Sequence, residues 1–107
     1  MIIYSVTIVL DAALEADWLD WMKNVHIPEV LQTGCFVRCR MYRMVEPPGS
    51  EPGFVMQYEC LSLAEYHRYR EEFAPALQQK HTARYAGRFR GERRVLEEVL
   101  IQGAGEA

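Results

Sequence analysis

The residue type best suited to chemistry near neutral pH is histidine, and the most suggestive of the three is His26. It follows Trp21 and Met22 closely and stands immediately before Ile27-Pro28, where proline disfavours helical geometry in the residue ahead of it. An imidazole at such a joint, with Trp21 as a wall, would serve as a general acid/base or ligand contact at a pocket mouth. The plainer alternative is a histidine held at a helix C-terminus by the dipole and the last carbonyls. A second candidate group is Arg38, Arg40 and Glu59. The two arginines share a strand face, and such a group could bind a carboxylate or steady an enolate. An ion-paired cluster at a subunit interface would use the same residues. Tyr42 follows Arg38 and Arg40 in the same alternation and, with Ser5 or Thr7, could add a hydroxyl to that cavity.

Other chemistries find little support. His67 and His81 sit among charged neighbours in helical stretches and read as solvated. No histidine pair has the helical ligand spacing with a carboxylate that a dedicated metal site uses, so neither metal nor cofactor is expected. Cys35, Cys39 and Cys60 make an odd count without CxxC spacing, which suits reduced thiols and a cytoplasmic protein. The apolar stretch 1–10 lacks the basic start and small-x-small site of a signal peptide. The basic run Lys80, Arg84, Arg88, Arg90, Arg93 and Arg94 reads as a solvated face. Twelve Lys and Arg against fifteen Asp and Glu leave a net charge of −3. That balance, and the lack of an RNP-like aromatic pattern, argue against a nucleic-acid partner. There is no Gly-rich phosphate loop and no nucleophile elbow. No apolar run approaches the ~20 residues that cross a bilayer, so no membrane partner is expected.

These residues need a scaffold, and 107 residues, half of them apolar, suffice for one globular domain spanning 1–107, with 102–107 as a frayed tail. Residues 2–10 alternate, with Tyr4, Val6, Ile8 and Leu10 on one side, and predict a strand. Asp11 can cap a helix over 12–26, whose stripe is Leu14, Trp18, Met22 and Val25, flanked by Leu19 and Trp21. Pro28 then opens a separate short helix, 29–33, closed by Gly34. Residues 35–46 and 54–60 alternate on either side of the loop 47–53 and predict a hairpin. With the register set from the loop midpoint, Arg40 faces Glu59 and Cys39 faces Cys60. Ser62 and Glu65 fit a capping box opening a helix through Tyr66, Tyr69, Phe73 and Leu77 to about Tyr85, with Pro75 kinking or restarting it. Residues 90–101 form the last strand.

The order β-α-β-β-α-β is the ferredoxin-like arrangement, an α+β fold whose four-stranded antiparallel sheet carries both helices on one face. Tyr4, Val6, Ile8, Val37, Cys39, Met41, Phe54, Met56 and Tyr58 are expected under the helices. The opposite face, with Ile3, Ser5, Thr7, Val9, Phe36, Arg38, Arg40, Tyr42, Val55, Gln57 and Glu59, is too apolar to stay wet and too polar for a dry core. It predicts a homodimer packed sheet to sheet.

The strand order, together with Met1-Ile2-Ile3-Tyr4, Trp18-Leu19-Asp20-Trp21-Met22, His26-Ile27-Pro28-Glu29-Val30 and Tyr69 through Phe73-Ala74-Pro75-Ala76-Leu77, resembles the dimeric α/β-barrel superfamily. Within it the chain is most similar to a functionally uncharacterised bacterial family of about 100 residues. More distant barrel relatives include cofactor-independent monooxygenases, small isomerases and haem proteins, a likeness of fold only.

The expected function is a homodimer that binds a small, partly apolar organic molecule and carries out cofactor-independent acid/base or oxygenation chemistry. In it His26 is the acid/base, Arg38 or Arg40 steadies an anion, and Glu59, Tyr42 and Trp21 line the site. The alternative is a non-catalytic dimeric structural or partner-binding module. A cavity of ~300 Å³ or more would suit the first and a filled interior the second. Haem binding would require His26 to face a cavity.

Overall fold

The computed structural model describes residues 1–105; the end of the expected frayed tail, 106–107, lies outside them. Strands β1 (Ile2–Leu10), β2 (Arg38–Arg43), β3 (Gly53–Cys60) and β4 (Phe89–Glu97) form one antiparallel sheet in the order β2-β3-β1-β4. Helices α1 (Glu15–Trp21), α2 (Ile27–Gln32), α3 (Leu63–Glu72) and α4 (Ala74–Tyr85) cover one face. This is the ferredoxin-like order, and within one chain the sheet stays open rather than closing into a barrel. The core lies between the two layers, centred on Trp18, Tyr4, Phe54, Met56 and Cys60.

Local chemistry sets the element boundaries. Asp11 Oδ1 accepts from the Ala13 N–H at 3.0 Å, opening a short 3₁₀ turn (Ala12–Leu14) that leads into α1. Ser62 Oγ accepts from the Glu65 N–H at 3.2 Å, but the Glu65 carboxylate turns to Arg68, so only half of the capping box forms. Pro75 starts α4 afresh, with Phe73 as the break between α3 and α4. Gly34 and Gly87 take positive φ just past the ends of α2 and α4.

The first helical region departs from expectation in an informative way. It does not break at Pro28. The turn Met22–His26 widens into a π-helix, with the Ile27 N–H donating to the Met22 carbonyl, and α2 continues from it. Proline lacks an N–H and crowds the carbonyl four residues back; one widened turn absorbs both costs without a break. The widening also changes which side chains face inward. In a pure α-helix each four-residue step overshoots a full turn by about 40°, so Trp18, Met22, His26 and Val30 would spiral off one face. The wide turn takes up that drift. Trp18, Met22 and Val30 are buried, His26 is half-buried among them, and Val25, expected in the stripe, is exposed.

Expectations for the sheet are also corrected. β2 begins at Arg38 rather than at residue 35, which frees Phe36 to fold over the sheet end against Tyr4, Tyr58 and Tyr69, with ring centroids 4.8–6.0 Å apart. Phe36 is therefore buried and Val37 exposed, the reverse of simple alternation. The hairpin register is shifted by two residues: Arg38 faces Glu59 and Cys39 faces Tyr58. The chain leaves the ladder after Met44, whose N–H bonds to the Gly53 carbonyl, well before the proline-rich tip. β4 ends at Glu97, and Val99, Leu100 and Ile101 lie beyond it, exposed.

Candidate functional site

The space between sheet and helices narrows to a cavity of about 40 Å³, lined by Tyr4, Val6 and Ile8 of β1, Met56 and Tyr58 of β3, Arg93 of β4, and Met22, His26, Val30, Tyr69, Gln78 and His81 of the helical layer. At roughly 10–15 Å³ per water this holds about three waters, well short of the ~300 Å³ of a drug-sized pocket and far too small for a haem. The lining is nonetheless polar at defined points.

His26 is brought into this cavity by the wide turn. Its ring stacks on Trp21, with centroids 5.0 Å apart and planes 22° from parallel, and its Nδ1 is buried with no hydrogen-bond partner among the described residues. Burial pushes its pKa down to about 4; Glu29 opposes the shift and Lys80 adds to it. Glu29 and Lys80 bond to each other at 2.6 Å and tie α2 to α4.

His81 is the residue that sequence reading misplaced. It is buried on α4, with its ring 5.9 Å from that of His26. Its Nε2 accepts the Trp18 indole N–H at 2.9 Å. An indole nitrogen only donates, so His81 is neutral and carries its proton on Nδ1. Burial, with the neighbouring His26 and Arg93, holds its pKa down to about 4. The available signal was Leu77, His81 and Tyr85 at four-residue spacing, all three buried; the flanking charges Lys80 and Arg84 obscured it.

Arg93 belongs to the basic run that reads in sequence as a solvated face. Its strand position pairs with Val6, and its side chain rises on the helix-covered face beside the Tyr4 hydroxyl, at the exposed rim of the cavity. Gln78 Nε2 reaches the same hydroxyl at 3.5 Å. The alternation Phe89, Gly91, Arg93, Val95 was the signal for this facing.

The other expected site residues gather elsewhere. Arg38 Nε and Arg40 Nη1 converge on the Glu59 carboxylate at 2.8 and 3.5 Å, on the uncovered face of the sheet. Tyr42 shares that face, half-exposed. Within one chain, neither arginine meets His26, because the sheet stands between them. Trp21 does lie beside His26, and the Arg84 guanidinium sits 5.6 Å from its ring centroid. Among the described residues no group of three or more His, Cys, Asp or Glu could hold a metal, and no helix is long and apolar enough to cross a membrane.

Solved structures share this fold. HapK from Hahella chejuensis is 17% identical and superposes with a TM-score of 0.71, covering 99% of this chain and 100% of that one. A dimeric ferredoxin-like protein from an uncultured marine organism is 14% identical, with a TM-score of 0.68 and coverage of 94% and 98%. A protein described as an antibiotic biosynthesis monooxygenase is 14% identical, with a TM-score of 0.65 and coverage of 94% and 100%. No curated protein matches the sequence. Residues 1–99 match the domain of unknown function DUF4286, and the chain belongs to that family.

Proposed function

We propose that this protein is a cytoplasmic homodimer, joined through its open sheet faces, that binds a small organic molecule between sheet and helices and acts on it through acid/base chemistry at His26. The observation that carries the reading is the buried, unpartnered His26 Nδ1 in the cavity wall. Buried polar atoms are nearly always paired, and leaving one unpaired costs roughly 1–3 kcal/mol. A cavity kept only as a packing defect would be lined by apolar atoms; this one presents an imidazole, a phenol, an amide and a guanidinium. His26 is neutral at pH 7, so a ring nitrogen can receive a proton from an activated C–H or O–H of the ligand, leaving the ligand anionic and the ring cationic. The flexible side chains Met22 and Met56 bound the cavity and let it adjust to its occupant.

The dimer rests on the uncovered face, where Ile3, Val9, Val55, Tyr42 and Leu96 lie among the Arg38–Arg40–Glu59 cluster. A structurally similar protein is itself described as dimeric. The cytoplasmic placement rests on Cys35, Cys39 and Cys60, all free.

Native mass spectrometry of the protein as purified tests both halves of the proposal. A dimer carrying a discrete small adduct is the expected result, and a monomer would overturn the sheet-face assembly. Once the adduct is identified, His26→Ala should abolish its turnover and keep the dimer; unchanged turnover would remove His26 from the chemistry. The second reading, a non-catalytic dimeric module, is favoured by the small cavity volume, and a clean dimer without adduct would support it.

A further inference from the structure

We propose that Arg93 makes the cavity an anion site, so that the molecule it takes is a short monocarboxylate whose charged end meets the guanidinium and whose short carbon chain carries toward His26 the C–H or O–H that the ring meets. This rests on the pocket reading above and names the ligand class. The first observation is a contrast among arginines. In the C-terminal basic run, Arg84 pairs with Asp17, Arg88 with Asp11, Arg90 with Glu51 and Arg94 with Glu92, at 2.8–3.6 Å. Among the described residues Arg93 has no carboxylate within 4.0 Å, and it is the arginine of this run that lines the cavity.

The second observation is the charge of the lining, which among the described residues includes no Asp or Glu. With both imidazoles neutral at pH 7, the guanidinium is an uncompensated positive charge on walls of low polarisability, and such a charge draws an anion. The third is the distribution of donors. Arg93, the Tyr4 hydroxyl and the Gln78 amide stand together at one end, a set that can bind two carboxylate oxygens with charge-assisted hydrogen bonds. Met22 and Val30 beside His26 offer only apolar contact, which suits the short carbon chain that brings the reacting group to the imidazole. The cavity volume of about 40 Å³ sets the size: a few heavy atoms beyond the carboxylate.

Propionate and its neutral isostere propionamide are the probes. Binding is read from the indole N–H resonances of Trp18 and Trp21 in ¹H–¹⁵N spectra, since both rings contact a cavity histidine. Propionate should shift them saturably and bind about tenfold or more tightly than propionamide, the discrimination expected of one charge-assisted pair. Arg93→Gln should weaken propionate by about the same factor and Arg93→Lys by less, because an ammonium keeps the charge but loses the fork. Arg70→Gln, which removes an equal charge from exposed α3, should leave binding unchanged. Equal binding of the two probes, or no change in Arg93→Gln, overturns the anion assignment and leaves the pocket standing. Saturable binding of neither probe overturns the anion assignment and the pocket reading together.

Discussion

The Trp18 indole N–H donates to His81 Nε2 across 2.9 Å at the centre of the helix–sheet interface, joining two residues 63 positions apart. This bond fixes the tautomer of His81 and the rotamer of a fully buried tryptophan together.

Trp18→Phe would keep most of the ring packing against Phe54 and remove the donor. His81 Nε2 would then be buried without a partner, a loss of about 1–3 kcal/mol. Urea unfolding should show that loss as a lower midpoint with an unchanged slope. The His81 pKa, followed by NMR, should rise above its present value of about 4, because the donor stabilises only the neutral ring. Unchanged stability and an unchanged His81 titration would mean that the hydrogen bond has no energetic role.

Acid should destabilise the fold through the same pair of imidazoles. His26 and His81 titrate near pH 4 when folded and near 6.5 when unfolded. Between those values the unfolded chain binds more protons, so stability is fully present above about pH 6.5 and is lost as pH falls toward 4. Each unit of displacement is worth about 1.4 kcal/mol, which puts the combined loss on the order of several kcal/mol. His26→Asn and His81→Gln should each flatten the dependence of the urea midpoint on pH across this window. A wild-type profile that is flat from pH 6.5 down to about 4.5 would contradict the burial of neutral imidazoles.

Val55 lies on the uncovered sheet face between Thr7 and Tyr42 in the paired strands. Val55→Lys should leave the monomer fold within about 0.5 kcal/mol, since no helix covers that side. If the proposed sheet-to-sheet assembly holds, it should halve the mass in sedimentation equilibrium by burying an unpaired charge between the two sheets. A variant that remains dimeric would place the interface elsewhere.

The elements themselves were legible because each carries a local signal: alternation in β1, Asp11 and Ser62 as caps, Pro75 as a restart. The strand order followed from them. His26 was legible as a candidate because proline chemistry marks its position, although the outcome was a widened turn and not a break. The rest depended on contacts across the chain. Phe36 alternates correctly for the open face, yet Tyr4, Tyr58 and Tyr69 draw it to the other one. His81 and Arg93 have charged sequence neighbours that point to solvent, while their own side chains face the cavity. Arg38, Arg40 and Glu59 do gather on the open face as alternation implies, but Arg38 and not Arg40 stands opposite Glu59, because the hairpin register is set by contacts that the loop midpoint does not encode.

The wide turn also bears on how many residues this helical region requires. Met22 and Val30 would be seven residues apart if exposed Lys23 or Asn24 were deleted, two turns of ordinary helix, and both would still pack. His26 would then stand only three residues beyond Met22 and rotate away from its place beside His81. The helix therefore holds one residue more than packing demands, and the inward position which that surplus creates is the one His26 occupies.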